Sequence, residues 1–245
     1  MKTLRRARPL LSTLVEVGIA GAGPGDVQAA FAAAFEAVAG VQACMSRFEP
    51  HSDIGRFHAL PVGAEVQVDS RTARVLQAAA WLHERSHGLF DIALGSAVRG
   101  WRCEGHRLVK LQAGVRLDLG GIAKGHAVDA AVEALQTAGC SSGWVNAGGD
   151  LRAFGALDLP VSLRDEERGG VRPFGRLSDG AFATSRFGGE TPALAGSPHG
   201  PAAEAHVSVM APLCLWADAF TKLVALSGRT DHPLLAEHGA HAWQH

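Results

Sequence analysis

The stretch DLGGIAKGHAVD, residues 118–129, sets an acid, paired glycines, a lysine and a third glycine directly ahead of an apolar-periodic segment. Gly120 and Gly121 carry no Cβ, so a ligand or ion can approach main-chain atoms there. Lys124 falls in the first turn of the helix that the following residues predict. Free N–H groups, the helix dipole and an ammonium together suit a phosphate at that point, and Asp118 can accept from a base or sugar group. A purely structural turn fits the same spacing. It is not a Walker loop, because Gly120 and Gly125 are followed by His126 rather than Lys-Ser or Lys-Thr.

Two further stretches repeat the theme. NAGGD (146–150) ends a predicted strand with paired glycines beside Asp150, the pattern of a hairpin turn. ADAFTK (217–222) puts Asp218, Thr221 and Lys222 at i, i+3 and i+4 of a predicted helix, so carboxylate, hydroxyl and ammonium share one face. That face is either an exposed Asp–Lys pair, worth tenths of a kcal/mol, or a corner for a cation or phosphate.

Other chemistries find no pattern. The chain has twelve histidines, but no H-x-x-x-H falls on a predicted helix, and HPLLAEHGAHAWQH at 232–245 is too dispersed for a metal site. No G-x-S-x-G elbow occurs. Cys44, Cys103, Cys140 and Cys214 are scattered without a C-x-x-C pair, which excludes a zinc motif and a disulfide framework and leaves them as reduced core thiols. With 23 basic and 24 acidic residues the net charge is −1, which gives no electrostatic reason to expect nucleic acid or an anionic membrane. Pro9 and Glu16 interrupt the apolar stretch after the basic start, and no run is read as approaching membrane-spanning length, so a cytoplasmic location is expected.

The elements that would position these residues follow from periodicity. LLSTLVEVGIAG (10–21) reads as a strand and 25–48 as a long helix with Asp26 as its N-cap. GAGPGD between them reads as a turn, since its glycines miss the dinucleotide spacing and Pro24 lacks an N–H. Residues 70–88 form a second amphipathic helix burying Val75, Leu76, Ala79 and Leu82, with Gly88 as its stop. LFDIALG reads as a short strand or turn, HRLVKLQAGVRLDLGG (106–121) as a hairpin, and 124–139 as a helix with Ala127, Ala131 and Leu135 inward. Strands follow at 143–155, LDLPVSLRD, GAFATSRF and HVSVMAP; a mobile loop is expected over 188–205, and WADAFTKLVALSG is a helix stopped near Gly228. Helices and strands alternate irregularly with hairpins, which predicts an α+β fold of mixed or antiparallel sheets packed with helices in a single unit spanning 1–245.

Taken in order, PLLSTLVEV, MSRFEPHSDIGRFH (45–58), GLFDIALGSAVRGW (88–101), LDLGGIAKGHAVDAAVEAL (117–135), VNAGGD and ADAFTK resemble the ApbE family of FAD:protein FMN transferases. The resemblance implies a T-fold-like enzyme that binds FAD and Mg²⁺, joins FMN to a Thr or Ser hydroxyl of a partner protein, and releases AMP. It implies that Ser46, Arg47, Phe48, Leu89, Phe90, Asp91, Asp118 and Lys124 line the FAD site. It further implies that the Gly121 carbonyl, Asp218 and Thr221 hold the metal, and that Asp218 is essential, so that alanine there abolishes turnover and leaves the fold intact. A non-catalytic FAD-binding module and a FAD pyrophosphatase giving FMN and AMP are the alternatives within the same resemblance.

The chain departs from the family pattern twice. Where members carry H-I-x-D-P-x-T-G, with a histidine that assists transfer, this chain reads ALAGSPHG at 193–200, leaving His199 and His206 as substitutes. Lys222 stands where many members have a metal-ligand threonine.

Overall fold

Val15, Val17 and Ile19 alternate along one stretch and are all buried, so that stretch has one apolar face and forms a strand under a helical layer. A computed structural model of the chain describes residues 3–20, 25–96, 100–165, 168–188 and 205–245. Chain order begins β1 (Leu4–Leu10), β2 (Thr13–Ala20), α1 (Val27–Met45), α2 (Asp53–Ala59), β3 (Glu65–Gln67) and α3 (Ser70–Arg85). It continues with β4 (Trp101–Glu104), β5 (Arg107–Lys110), α4 (Ala123–Thr137), β6 (Ser142–Ala147), β7 (Asp150–Phe154) and β8 (Leu159–Arg164). Then come β9 (Val171–Leu177), β10 (Gly180–Phe187), β11 (Ala205–Ala211), α5 (Cys214–Ser227), α6 (Pro233–Glu237) and β12 (His241–Gln244).

A seven-stranded sheet in the order β1-β2-β6-β7-β10-β11-β12 is antiparallel throughout. Helices α1, α4 and α5 lie on one face, burying Phe31, Phe35, Val128, Val132, Phe220 and Val224 in the main core. The β8–β9 ribbon covers part of the other face, where Val161, Leu163 and Leu177 meet Trp144, Ala153 and Phe182. A small β3-β5-β4 sheet stands with α2 and α3 beside this stack. The α+β expectation holds.

Local signals placed most elements. The Asp26 carboxylate accepts from Ala29 N at 2.9 Å and starts α1 as expected, and Gly228, in the left-handed region at φ 66°, ends α5. Val75, Leu76, Ala79 and Leu82 are buried on α3, and Ala127, Ala131 and Leu135 on α4. Three readings need correction. The single strand read over 10–21 is broken by a turn at Leu11–Ser12: Leu10 ends β1, formed by the basic start, whose arginines stay exposed while Arg6 and Arg8 lie over the rings of Phe31 and Phe35, and β2 begins at Thr13. HRLVK pairs backwards with WRCE through Gly105 rather than forwards with GVRLDLGG, which runs irregularly into α4. Helix α1 is long and apolar enough by length and composition to cross a membrane, against the reading that no run approaches such length. Its residues Ala30, Phe31, Ala34, Phe35, Val38 and Val41 are buried inside the fold, so apolarity here serves the core. The GAGP part of the first turn and most of the expected loop over 188–205 fall outside the described residues.

One core position carries a pH dependence. His126 on α4 is 3% exposed and its Nε2 has no hydrogen-bond partner among the described residues. Burial, helped by Arg74 and Arg71, pulls its pKa down to about 4. The folded state therefore prefers the neutral ring, and the unfolded chain binds more protons between about 6.5 and about 4. The resulting stability is fully present above the unfolded value and is lost as pH falls from there towards 4. At pH 5 the loss relative to neutral pH is about 2 kcal/mol. Unfolding free energies from urea denaturation of the wild type and His126→Leu at pH 7 and 5 are expected to differ by that amount in their pH dependence; equal pH dependences would refute this role.

Candidate functional site

The C-terminal end of α1 delivers Ser46, Arg47 and Phe48 to a cavity of about 300 Å³. Asp118, Leu119, Gly120, Ala123 and Lys124 line its opposite wall, and Leu11 and Ser12 of the β1–β2 turn close one end. The walls are tied together by Asp118. Its Oδ1 accepts from Gly120 N at 2.8 Å, fixing the glycine turn, and its Oδ2 lies 3.2 Å from Arg47 Nε. Phe48 is 78% exposed, with the Arg47 guanidinium 4.4 Å from its ring centre. An exposed aromatic of this size beside a cavity offers a stacking face for a planar ring.

The β1–β2 turn is strained. Leu11 and Ser12 adopt φ 54° and 58°, a region that side-chain-bearing residues seldom occupy. Gln42 Oε1 accepts from Leu11 N at 2.7 Å and helps to hold the turn against the cavity. Strain of this kind, on the order of 1–3 kcal/mol per residue, persists where the surroundings demand it.

From Lys124 inward, α4, β7 and α5 bring together two carboxylates and two ammonium groups. Lys124, whose side chain is a third exposed, donates to Asp150 Oδ2 at 2.5 Å. Asp150 is fully buried, and its Oδ1 has no partner among the described residues. Burial and the neighbouring Asp218 charge raise its pKa to about 6, against the pull of Lys124 and Lys222. Burial alone would depress the Lys124 ammonium, but Asp218 and Asp150 outweigh it and raise its pKa. Asp218 is likewise desolvated, yet Lys222 and Lys124 hold it ionised below the usual carboxylate range. Its Oδ2 accepts from Gly125 N at 3.0 Å and its Oδ1 pairs with the Lys222 ammonium. This pair is buried, with Asp218 at 0% and Lys222 at 5% exposed, so the picture of an exposed helix pair does not apply.

Of the paired glycines, Gly120 is tight, since a Cβ there would lie 3.0 Å from Asp118 Oδ1, but Gly121 is less demanding than its sequence suggests. A Cβ on Gly121 would meet Lys222 and Phe90 at an ordinary 3.7 Å. The third glycine is the sterically required one: a Cβ on Gly125 would lie 2.2 Å from the Cys214 carbonyl oxygen and 2.8 Å from Asp218 Cβ. Its bareness serves close packing of α4 on α5, which sets where Asp218 stands. Gly148 and Gly149 form the expected hairpin turn at φ 64° and 108°, with Asn146 Oδ1 accepting from Gly149 N.

The remaining expected residues are placed unevenly. Phe90 is buried beneath Gly121, and Leu89 packs on the core. The Asp91 carboxylate accepts from Ala93 N and Gly95 N, so it shapes its own turn. His206 is not brought to the cluster. On β11 it pairs with Arg186 of β10, one residue out of phase with Val207 and Ser185, whose side chains face α5, so its own side chain lies on the opposite face of the sheet. His199 lies outside the described residues.

A Mg²⁺ set of Gly121 carbonyl, Asp218 and Thr221 does not fit the side chains as they stand. Both Asp218 oxygens are engaged, and the Thr221 hydroxyl donates to Asp218 O at 2.7 Å and lies 3.0 Å from Ser185 Oγ. A divalent cation about 4 Å from the Lys222 ammonium would meet repulsion on the order of 8 kcal/mol at an effective dielectric of 20. No group of three or more His, Cys, Asp or Glu suited to a metal occurs among the described residues.

Sequence reasoning overlooked Leu11, Ser12 and Gln42 at the cavity and Ser185 at the cluster. Leu-Ser is no turn signal, and a serine within a strand carries none at all.

An antiparallel sheet layered with helices is also the fold of solved ApbE proteins. A variant of the flavin transferase ApbE from Vibrio cholerae superposes with a TM-score of 0.84 at 18% identity, covering 100% of this chain and 93% of that one. The ApbE protein from Thermotoga maritima gives 0.85 at 20% identity, covering 99% and 94%. The sequence profile of the ApbE family matches residues 11–190, and the chain belongs to that family. An FAD:protein FMN transferase from Treponema pallidum is 26% identical over 215 residues, covering 69% of this chain and 59% of that protein. Another, from Rhodobacter capsulatus, is 32% identical over 146 residues, covering 46% and 28%. The chain thus matches little more than half the length of the first relative and less of the second.

Proposed function

We propose that the chain transfers FMN from FAD to a Thr or Ser hydroxyl of a partner protein. The observation that carries this reading is the convergence of Arg47, Phe48, Asp118 and Lys124, from segments far apart in sequence, on one cavity, with Lys124 tied to the buried Asp150. The family relation and the names of its relatives support the same substrate.

In this reading Phe48 stacks against one of the two planar ring systems of FAD, and Arg47, held by Asp118, borders the phosphates. Lys124 exchanges its Asp150 contact for the diphosphate, a point charge well suited to phosphate oxygens. The acceptor hydroxyl oxygen bonds to the FMN phosphorus, the bond from that phosphorus to the bridging oxygen breaks, AMP leaves with that oxygen, and the hydroxyl proton passes to water. The positive charge of Lys124 stabilises the charge that grows on the leaving phosphate. Four unpaired thiols, three of them buried, suit a reducing compartment and support a cytoplasmic setting.

The position of His206 on the far face of the sheet favours a second reading, a flavin-binding module without transfer. Incubation with FAD and a Thr-bearing acceptor separates the two: transfer leaves a fluorescent flavin on the acceptor in a denaturing gel. Tightly bound FAD recovered intact, with an unlabelled acceptor, would establish the binding module instead.

A further inference from the structure

Three oxygens surround the Lys222 ammonium: Asp218 Oδ1, Asp218 O at 3.1 Å and Ser185 Oγ at 3.4 Å. All are hard oxygen donors of the sort a divalent cation takes. The lysine stem runs beneath Gly121, whose position would place a Cβ 3.7 Å from its Cε, so the glycine-rich turn closes over the ammonium. Asp218, inaccessible to solvent and donated to by Gly125 N, has its negative charge matched within its own helix one turn later.

We infer that Lys222 is a built-in counter-ion that occupies the place of a divalent metal, so that this chain binds FAD without one. The inference rests on the FAD reading above only for its ligand; the exclusion of a metal from Asp218 stands on the geometry of the pair. Lys222 acts through Asp218 and Ser185 and is a positioning residue. Shortening it to threonine removes the ammonium and leaves a hydroxyl facing the Asp218 oxygens, which together make a cation site.

The test measures FAD affinity of the full chain by flavin fluorescence in EDTA and in millimolar Mg²⁺. The wild type is expected to give dissociation constants within twofold of each other. Lys222→Thr is expected to bind at least tenfold more weakly in EDTA and to recover when Mg²⁺ is added, a rescue that a merely structural lysine would not produce. Tightening of the wild type by tenfold or more with Mg²⁺, or undiminished binding by Lys222→Thr in EDTA, overturns the inference. Should that variant fail to fold, the wild-type comparison decides alone. A parallel titration of nucleotide-free wild type with Mn²⁺, followed by electron paramagnetic resonance, separates this inference from the FAD reading. No FAD binding in either buffer overturns that reading, whereas Mn²⁺ bound by the wild type and lost in Asp218→Asn overturns metal exclusion itself; absence of Mn²⁺ binding supports it.

Discussion

Asp218→Ala is expected to destabilise the protein by about 3–5 kcal/mol, because it strands the Lys222 ammonium in a site with almost no water. It also leaves Gly125 N without its acceptor. This revises the view from sequence that alanine there would spare the fold, a view that fitted a ligand residue facing a metal and does not fit a carboxylate with no exposed surface. For a chain of this size the loss corresponds to a fall in melting temperature of roughly 10 °C. The double variant Asp218→Asn, Lys222→Met removes both charges and is expected to regain much of the stability, since an apolar replacement of a buried pair is often tolerated. A melting temperature for Asp218→Ala within a degree of wild type would show that the pair is not buried as described.

Gly125→Ala tests the packing beneath the same pair. The new Cβ would meet backbone, not a yielding side-chain tip: the Cys214 carbonyl oxygen at 2.2 Å. That backbone is pinned, because the buried Asp129 carboxylate accepts from Cys214 N at 2.9 Å and Leu215 N at 2.8 Å, and is itself paired with Arg152 at 2.8 Å. Helix α5 must therefore shift as a unit. A cost of about 3 kcal/mol is expected from the overpacking, well beyond the ~1 kcal/mol by which alanine favours a helix over glycine. Chemical denaturation measures it, and FAD affinity should fall with it because Asp218 and Lys222 move together. A variant as stable as the wild type would show that close packing of α4 on α5 does not require a glycine at 125.

The four long helices, α1, α3, α4 and α5, were legible because each writes its own apolar period, whereas the short α2 and α6 were not read from the sequence. Asp26, the inward stripe of α3 and the left-handed Gly228 are local signals, and α4 shows its buried face in Ala127, Ala131 and Leu135. The small sheet was not, since HRLVK has an apolar pattern that pairs equally well in either direction, and in the fold it is the central strand between EVQ of β3 and WRCE of β4. At the site, Arg47, Phe48, Asp118 and Lys124 were legible through the family resemblance, and the cavity unites them. The role of Lys222 was half legible: its spacing from Asp218 gave the contact, but whether that contact is a solvated pair or a buried one depends on the helices above it. Ser185 and the Leu11–Ser12 turn depend on strand register and tertiary strain, which leave no trace in residue type.

FMN transfer is tested most directly by the intact mass of an acceptor protein after incubation with this chain and FAD, in EDTA and in millimolar Mg²⁺, with AMP quantified in the same mixtures. FMN transfer predicts an acceptor heavier by one FMN moiety and one AMP released for each acceptor modified. An acceptor of unchanged mass beside FAD that is intact, or that is split into free FMN and AMP, would contradict it.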